Sequence, residues 1–500
     1  MDKLILGIDF GTSTNFVTKY DFNRKDAVAV DNMGGYTSSN IFDNCIFIEN
    51  ENNFVLGETA KNKMHSSPEN YFEDIKRFII DDKKSYRIPN LGNKEVTPID
   101  IATMIFKTIK KKVEENYGGQ EIDGVVVTVP YSYSKKYRER IKQIVESAGI
   151  HVIKLVEEPV AAAISYGLFS KDIQTNKKEK IAVFDLGGGT FDITIFNFEK
   201  KDEQTARIEV LNTDGVEKLG GKTIDELLAK KFMNELGVEY TDFTKEKERI
   251  KFQTELQQAT KRYKEELSNQ EEIDIYDTFT INSKLKELEI DEFSRDDFNE
   301  ILKNNNILGQ IEDALDRAIY DIDLEPSDID RVVLAGGSSN IPIIKELVED
   351  FFGITTESKK NLGELVGHGA GILAGLAYDN NLNYEVIRKT SKNIGIAKGN
   401  IFKPILFKNT KYGEQSALYP LKLVNKDETE LIVNFYESDV KRIDNENCEK
   451  IGKVIIDGTK FPTNTIYISL EREDEKESKL RVRFFDDKKQ LVEDEYLEDA

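Results

Sequence analysis

The most constraining feature of the chain is a pattern that occurs twice, at residues 4–18 (LILGIDFGTSTNFVT) and at residues 181–196 (IAVFDLGGGTFDITIF). Each copy is an apolar strand, then Asp-x-Gly, then Gly, Thr and Ser residues, and then a second apolar strand. Such a hairpin presents backbone N–H groups at its tip. Two facing hairpins could hold a triphosphate while Asp9 and Asp185 hold a hydrated magnesium ion. For either hairpin alone, a tight turn without a ligand is an equally good interpretation.

Two other phosphate-binding motifs do not fit the sequence. The dinucleotide fingerprint G-x-G-x-x-G opens a helix, whereas DLGGGTFD (185–192) opens a strand. The segment GGKT (220–223) resembles the end of a P-loop and precedes a predicted helix. However, the first glycine of that motif would have to stand at Val216, and Gly215 lies one residue away. We therefore predict that Lys222 is a solvated side chain.

Composition argues against several classes of function. The formal net charge is −22, so the chain has no basic excess with which a general nucleic-acid binder would offset phosphate. Cys45 and Cys448 lie far apart, and with only three histidines neither a disulfide framework nor a zinc or histidine-based metal site is supported. No apolar run approaches the ~20 residues that a membrane helix needs. These features predict a protein of a reducing cytoplasm that binds neither nucleic acid nor membrane.

Strands alternate with helices from the N-terminus to Tyr378, which predicts an α/β architecture. Residues 222–320 are predicted to be mainly charged helices, interrupted by a short β segment at 272–282. From residue 394 onward, short alternating segments predict a separate β-rich module. The final segment, 492–500 (VEDEYLEDA), is predicted to be a solvated acidic tail, with a peptide that binds a partner as the alternative.

Eight segments of the sequence, taken together, are similar to those of a known protein family. These segments are GIDFGTSTN (7–15), LGETAKN (56–62), EDIKRFI (73–79), VVVTVP (125–130), EEPVAAAISYGL (157–168), FDLGGGTFD (184–192), LGGKTID (219–225) and VLAGGSSNIP (333–342). Together they resemble the DnaK-type, seventy-kilodalton heat-shock chaperones, within the superfamily of actin, sugar kinases and chaperone ATPases. The resemblance implies an actin-like, ribonuclease H-like duplicated ATPase domain at residues 1–382. It further implies an interdomain linker at 383–393 and a β-sandwich substrate-binding domain at 394–500.

The resemblance implies an ATPase site with ATP or ADP and Mg²⁺ as cofactors. Lys76 matches the lysine that contacts the γ-phosphate region and the attacking water, and Glu158 matches the carboxylate that helps to order that water. Asp192 matches a candidate proton acceptor, and Thr190 lies at the γ-phosphate. Attack on a γ-phosphate needs positioning and charge stabilisation more than a strong base, so slow hydrolysis is expected.

Further positions match residues of the family that bind the nucleotide. Asp9 and Asp185 match the residues that position hydrated Mg²⁺. At the adenine, where the family has two arginines, this chain has Glu265 and Asn340, and the segment around Gly363 lacks the family's aspartate. The corresponding positions along the phosphates and the nucleoside, with Lys261 standing where the family has a glutamate, are Gly11, Thr12, Ser13, Thr14, Gly187, Gly188, Gly189, Gly220, Gly221, Lys261, Lys264, Ser268, Gly336, Gly337 and Ser338.

The elements that communicate nucleotide state in the family are partly present. Pro130 and Arg138 match the proline and the arginine that relay nucleotide state toward the linker. Lys154 matches a basic residue that engages the J-domain partner. The linker segment NYEVIRKTSK (383–392) departs from the family's leucine-rich motif and keeps apolar character only at Val386–Ile387.

The β-rich module resembles the family's β-sandwich peptide-binding domain, which implies a groove for an extended apolar peptide near residues 394–440. Because successive side chains of a strand point to opposite faces of the sheet, about half of the apolar side chains in these strands are expected to lie in the core of the module. The sequence ends near the end of this sandwich, so the family's helical lid is expected to be absent and peptide release to be fast. The candidates for the side-chain pocket are Ile394, Ile396, Leu406, Ile432 and Phe435.

These inferences predict an ATP-dependent molecular chaperone that hydrolyses ATP to control the binding of unfolded or extended polypeptide segments. A nucleotide-gated scaffold, or a dedicated reactivating factor for one client, is the main alternative. A phosphotransferase or filament-forming relative of the same superfamily is the third interpretation. The expected partners are a polypeptide client, a J-domain co-chaperone and a nucleotide exchange factor, and the chain is expected to be monomeric.

Overall fold

The chain divides into two units by its internal contacts. Unit 1 contains residues 1–206 and 213–384, and unit 2 contains residues 207–212 and 385–500. In the part of the chain that is described, no helix is both long and apolar enough to cross a membrane. The computed structural model describes residues 3–33, 40–131, 133, 135–169, 175–201, 205–356, 362–378, 383–425, 427–445, 448–473 and 479–497.

The first half of unit 1 is an α/β layer. Its main sheet has the strand order β11-β10-β1-β2-β3, with β4 paired to β2. In this sheet β1 and β2 form an antiparallel hairpin, and β10 lies parallel to β1 on the other side. The elements are β1 (Ile5–Phe10), β2 (Thr14–Asp21), β3 (Asp26–Ala29), β4 (Ile41–Asp43), β5 (Cys45–Asn50), β6 (Asn53–Leu56), α1 (Gly57–Met64), β7 (Tyr71–Glu73), β8 (Tyr86–Ile88), β9 (Lys94–Val96), α2 (Pro98–Asn116), β10 (Gly124–Val129), α3 (Lys135–Ser147), β11 (Val152–Glu157) and α4 (Glu158–Phe169).

The second half of unit 1 repeats this arrangement. The hairpin β12-β13 is antiparallel, and β17 lies parallel to β12 on its other side. The predicted α/β class is therefore confirmed. Both sheets contain an antiparallel hairpin with a parallel strand beside its first strand. The elements are β12 (Lys178–Leu186), β13 (Phe191–Lys200), β14 (Thr205–Val216), α5 (Gly221–Leu236), α6 (Glu246–Asn269), β15 (Glu272–Ile281), β16 (Lys284–Ser294), α7 (Arg295–Asn304), α8 (Ile307–Tyr320), β17 (Arg331–Ala335), α9 (Pro342–Phe352) and α10 (Leu362–Leu376).

Helix α10 brings the N-terminal hairpin against α4 because its small residues allow close backbone approach. A Cβ atom on Gly369 would overlap the carbonyl oxygen of Ala161, and one on Gly375 would overlap the ring of Tyr20. Since protein interiors are close-packed, neither position has room for a side chain. Helix α10 therefore packs tightly against both β2 and α4.

The prediction that residues 222–320 are mainly helical, with one short β segment, is wrong at 284–294. That stretch forms β16, which pairs antiparallel with β15. The turn between them consists of Asn282 and Ser283, both with positive φ (49° and 64°), which is the backbone that two-residue hairpins favour. The charged residues of the strand face solvent at alternate positions, whereas Leu288 and Phe293 are buried.

Unit 2 contains two four-stranded sheets of order β20-β19-β22-β23 and β21-β24-β25-β26. Their buried faces share one apolar core. The strands of these sheets are β19 (Asn393–Lys398), β20 (Ile401–Leu406), β21 (Tyr419–Lys422), β22 (Leu431–Ser438), β23 (Cys448–Ile456), β24 (Thr465–Arg472), β25 (Leu480–Phe485) and β26 (Leu491–Tyr496). Strand β18 (Asn383–Ile387) belongs to neither sheet and lies next to β14.

The prediction of a solvated tail at 492–500 is wrong over most of its length. Residues 491–496 form β26, which pairs with β25 through a ladder that includes Arg483 and Asp494. The acidic side chains find basic partners on that strand, as in the 2.6 Å contact between Arg481 Nη2 and Asp494 Oδ2. Residues 498–500 lie outside the described residues. Cross-strand charge pairing, which local composition does not reveal, explains the difference.

Candidate active site

The tips of the two glycine-containing hairpins meet in unit 1. A Cβ atom on Gly188 would overlap Ser13 Oγ, and a Cβ atom on Gly189 would lie 2.6 Å from Thr12 Oγ1. A backbone hydrogen bond closes the tip of each hairpin. In the first hairpin, Gly11 N donates to Thr14 O (3.0 Å). The glycines are therefore needed because the two tips touch, and the touching tips form the floor of a cleft.

The cleft brings together most of the residues that the sequence assigned to a nucleotide site. Its cavity volume is about 180 Å³. Its lining residues are Asp9, Gly11, Thr12, Ser13, Thr14, Lys76, Glu158, Asp185, Gly187, Gly188, Gly189, Thr190, Gly221, Asp225, Lys261, Lys264, Glu265, Ser268, Gly336, Gly337, Ser338, Ile341 and Val366.

Two assigned residues lie behind the lining rather than in it. Asp192 is opposite Asp185 in the β12-β13 ladder and is 2% exposed. Gly220 packs against the phosphate loop, where a Cβ atom would lie 2.7 Å from the backbone of Gly188. Asp192 therefore belongs to the buried charge cluster, and Gly220 supports the loop.

Lys76 is the cationic centre of the cleft. Its side chain is 1% exposed, and Nζ lies 3.0 Å from Glu158 Oε1, although the two residues are 82 positions apart. The rings of Phe10 and Tyr133 lie 5.7 Å and 5.4 Å from Nζ. A short 3₁₀ helix, Ile75–Phe78, carries the lysine inward. A buried ammonium is tolerated because carboxylates and aromatic faces surround it.

The carboxylates around Lys76 repel one another. Burial, and then the charge of Glu158, raise the pKa of Asp9 to about 7, while Lys76 and a hydrogen bond from Thr128 Oγ1 (2.8 Å) act in the opposite direction. Burial, followed by the charges of Glu158, Asp192 and Asp9, raises the pKa of Asp185 well above its usual range. One lysine does not neutralise this cluster, so its donor set fits a divalent cation.

The geometry favours a cation held through water rather than by a direct cage. Among the described residues, no group of three or more His, Cys, Asp or Glu side chains is arranged to hold a metal ion directly. Magnesium characteristically keeps several waters and is bound by one or two carboxylates together with substrate phosphates. Asp9 and Asp185 at the strand ends, facing a glycine-lined phosphate cradle, match that requirement.

The end of the cleft next to helix α6 is held by ion pairs. Lys264 Nζ lies 2.6 Å from Asp225 Oδ1 and donates to Gly221 O (3.1 Å). Lys261 Nζ donates to Asp43 (2.9 Å), and Ser268 Oγ donates to Lys264 O (3.0 Å). These contacts fix helix α6 along the cleft.

The two positions expected at the adenine carry no guanidinium. The Glu265 side chain is 61% exposed and lies 4.0 Å from Lys261. Asn340 uses its amide to donate to Gly337 O (3.2 Å). Gly363 lies at the start of α10, directly after residues 357–361, which are outside the described residues.

Comparison with known proteins agrees with this geometry. A family model described as "Hsp70 protein" matches residues 5–470. The chain belongs to the Hsp70 family. It is 29% identical over 448 residues to proteins named "Chaperone protein DnaK" from Thermotoga neapolitana and Thermotoga maritima, which covers 87% of this chain and 71% of theirs. To the protein of the same name from Thermosipho melanesiensis it is 30% identical over 420 residues, which covers 82% of this chain and 66% of that one.

Membership of the Hsp70 family confirms several predictions. The fold is an actin-like ATPase joined to a β-sandwich. The protein is an ATP-dependent molecular chaperone and an ATP hydrolase that uses ATP, ADP and Mg²⁺. The family acts on unfolded polypeptides together with co-chaperones in general. The scaffold and phosphotransferase interpretations are not favoured.

In this Hsp70 family member, Arg138 links the end of β11 to a neighbouring loop. Its Nη1 donates to Glu157 Oε1 (2.8 Å), directly before Glu158. Its Nε and Nη2 donate to the carbonyl oxygens of Tyr133 (3.0 Å) and Tyr131 (3.2 Å), the latter being the residue after Pro130. Pro130 and Arg138 therefore share one network with the residue next to Glu158. Lys154 is exposed on β11.

Most of the predicted peptide-pocket residues are structural. Ile394, Leu406 and Phe435 are at most 1% exposed, and Ile396 is 5% exposed, all within the sandwich core. Ile432 is 58% exposed. The prediction is therefore wrong for four of the five side chains, because strand alternation turns them into the core. Four other apolar side chains are partly exposed at the edge of that core, and they are Leu421, Leu423, Leu431 and Val433.

Sequence reasoning missed two buried charged residues, one in the lining of the cleft and one beside it. Asp225, which holds Lys264, is 3% exposed and lines the cleft. Lys222 was predicted to be solvated but is 7% exposed and lies within 3.0 Å of Asp74. The signal in the sequence was the segment GGKT, whose glycines and lysine serve the site without forming a P-loop.

Proposed function

We propose that the cleft of unit 1 hydrolyses ATP slowly and thereby times the binding of extended polypeptides by the β-sandwich. The observation that carries this proposal is the buried Lys76–Glu158 pair beside two touching glycine hairpins. We assign residues 1–382 to the ATPase domain, 383–393 to the linker and 394–500 to the substrate domain. The division of the chain into two contact units supports this assignment.

The proposed mechanism relies on positioning and electrostatics. Backbone N–H groups of Thr12, Ser13, Gly188 and Gly189 cradle the phosphates, while Gly187 N closes the tip by donating to Thr190 O (3.1 Å) and Thr190 lies at the γ-phosphate. Lys76 and Glu158 orient the attacking water, and Asp192 accepts its proton. When Mg²⁺ is bound through Asp9 and Asp185, it supplies positive charge beside the phosphoryl oxygens.

The nucleoside is assigned to the end of the cleft formed by α6 and the turn after β17. Lys261, Lys264 and Ser268 lie one helical turn apart on the face of α6 that lines the cleft. The opposite wall is Gly336, Gly337 and Ser338, where Ser338 Oγ donates to Gly187 O (3.1 Å). Both walls are therefore tied to the phosphate loop.

The polypeptide client is assigned to the edge of the sandwich. Leu421, Leu423, Leu431 and Val433 are apolar and only partly buried, which suits side-chain contacts with an extended peptide. Strand β21, which carries Leu421, is the outermost strand of its sheet and suits main-chain pairing. We further propose a J-domain co-chaperone that contacts exposed Lys154, a nucleotide exchange factor, a monomeric chain and a cytoplasmic location. The free cysteines Cys45 and Cys448 agree with a reducing compartment.

Single-turnover ATP hydrolysis with and without an extended apolar peptide tests the whole proposal. Peptide is expected to accelerate hydrolysis, and ATP is expected to accelerate release of a fluorescent peptide relative to ADP. A panel of unfolded peptides should give binding that depends on the nucleotide. If no peptide binds in either nucleotide state, a general chaperone function of the sandwich is ruled out.

Asp9→Asn is expected to uncouple nucleotide binding from magnesium. Because this residue is assigned to water-mediated positioning of the ion, the gain in ADP affinity on adding Mg²⁺ should fall by about tenfold. Titration calorimetry of ADP with Mg²⁺ and with EDTA measures that gain. Asp123→Asn, at a carboxylate that holds Leu4 N (2.8 Å) outside the cleft, is the matched control. An unchanged magnesium dependence in the Asp9 variant would contradict the assignment.

A further inference from the structure

The lysine of the GGKT segment is buried beside the cleft. Lys222 is 7% exposed. Its Nζ lies 3.0 Å from Asp74 Oδ2 and 3.4 Å from Glu73 Oε1. Helix α5, which carries Lys222, belongs to the second half of unit 1, whereas both acidic residues belong to the first half. The contact therefore joins the two halves on one side of the nucleotide site.

The N-terminus of α5 is fixed to the phosphate loop. Gly221 N donates to Gly187 O (2.9 Å), and Lys222 N donates to Gly188 O (2.8 Å). Gly220 lies so close to the loop that a Cβ atom there would be 2.7 Å from Gly188. The backbone at Lys222 thus holds the same loop whose N–H groups are assigned to the phosphates.

The side chain of Lys222 reaches the segment that positions Lys76. Asp74 directly precedes the 3₁₀ helix Ile75–Phe78 and adopts a left-handed conformation (φ 58°). Its carbonyl oxygen accepts a hydrogen bond from Arg77 N (3.0 Å), which closes the turn around Lys76. A non-glycine residue in this conformation needs support from its surroundings, and Lys222 supplies a charged contact to its side chain.

The electrostatics of this contact are those of a desolvated ion pair. Burial raises the pKa of Asp74 to about 6, and Lys222 is the largest influence in the opposite direction. Burial by itself would lower the pKa of Lys222, but Glu73, Asp74 and Asp225 outweigh it and the pKa lies above its ordinary value. Both groups are thus charged at neutral pH, and loss of either would leave a buried charge without its closest partner.

We propose that Lys222 is a positioning residue for ATP hydrolysis, which holds the phosphate loop through its backbone and the Lys76 turn through its side chain. This inference rests on the proposed function of Lys76. It assigns a role to the GGKT segment: the glycines allow α5 to approach the loop, and the lysine sets the distance from that loop to Lys76. Correct spacing matters because small misplacements of catalytic groups slow a reaction that depends on positioning.

The test is the Lys222→Met variant, which keeps an apolar stem and removes the charge. The single-turnover rate of ATP hydrolysis is expected to fall by about 10- to 100-fold, with the Kd for MgADP changed by less than about threefold. Lys222→Arg should restore most of the rate, because it keeps the charge. Lys230→Met, on the exposed side of the same helix, is the matched control and should leave the rate unchanged.

The Asp74→Asn variant is a second test of the same contact. It remains informative even if the Lys222→Met variant does not fold. It should slow hydrolysis to a similar extent, and the double variant Lys222→Met/Asp74→Asn should be no slower than the slower single variant, since both act on one contact. A wild-type rate in either single variant, multiplied losses in the double variant, or a loss confined to nucleotide affinity would overturn the proposal. Failure of the proposed function is distinguishable, because it would appear as normal hydrolysis in Lys76→Ala.

Discussion

Replacing Lys76 with alanine is expected to lower the single-turnover rate of ATP hydrolysis by about 10²- to 10³-fold. The reason is that Lys76 is the fully buried cation among the carboxylates at the phosphate end of the cleft, 3.0 Å from Glu158. Charge that develops on the γ-phosphoryl group would lose its preorganised partner. The Kd for MgADP should change by less than about threefold, because the backbone cradle is untouched.

Lys83→Ala is the matched control for this experiment, because Lys83 is exposed a few residues further along the same segment. Thermal unfolding of both variants separates a catalytic effect from a loss of fold. Lys76→Met serves as a second variant that retains the packing of the side-chain stem. If hydrolysis by a folded Lys76 variant equals that of the wild type, the catalytic assignment of this lysine is wrong.

Replacing Gly220 with alanine is expected to weaken MgADP binding by about 100-fold. The added Cβ atom would lie 2.7 Å from the carbonyl group of Gly188 and from Gly189 N. Backbone atoms cannot rotate away as the end of a side chain can, so the phosphate loop or helix α5 must shift. Displaced N–H groups no longer converge on the phosphates, and titration calorimetry of MgADP measures the loss.

Thr223→Ala is the control for Gly220→Ala, because it alters the same helical turn without adding an atom next to the loop. Its hydroxyl donates only to Lys218 O (2.9 Å) among the hydrogen bonds of the described residues. Affinity in this control should stay near that of the wild type. Wild-type affinity in Gly220→Ala would show that the loop does not depend on the close approach of α5.

The hairpins could be predicted from sequence because their signals are local. An apolar strand, an Asp-x-Gly turn and a second strand occupy consecutive residues around Asp9 and again around Asp185. Both hairpins form, and both tips line one cleft. Because the same strand–turn–strand pattern occurs twice, the sequence also predicted that the two sheets would have similar strand pairing.

Two of the errors concern contacts between residues that are distant in the sequence, and the error at the acidic end concerns cross-strand charge pairs. Lys222 resembles a surface lysine in sequence, but its partner Asp74 lies 148 positions away and buries it. Ile394 and Phe435 look like groove residues by composition, yet the register of their strands turns both side chains into the core. The acidic end of the chain pairs with β25 through charges that no local pattern contains.

The sequence alone determined the α/β class, the two glycine hairpins and the β-rich module, because strand periodicity and turn chemistry are properties of neighbouring residues. Only the tertiary structure decided that Lys76 becomes a buried cation beside Glu158 and that Lys222 joins the two halves of the ATPase unit. Those outcomes depend on desolvation and on ion pairs formed across the cleft. Desolvation and these ion pairs arise only when segments that are distant in the sequence pack together.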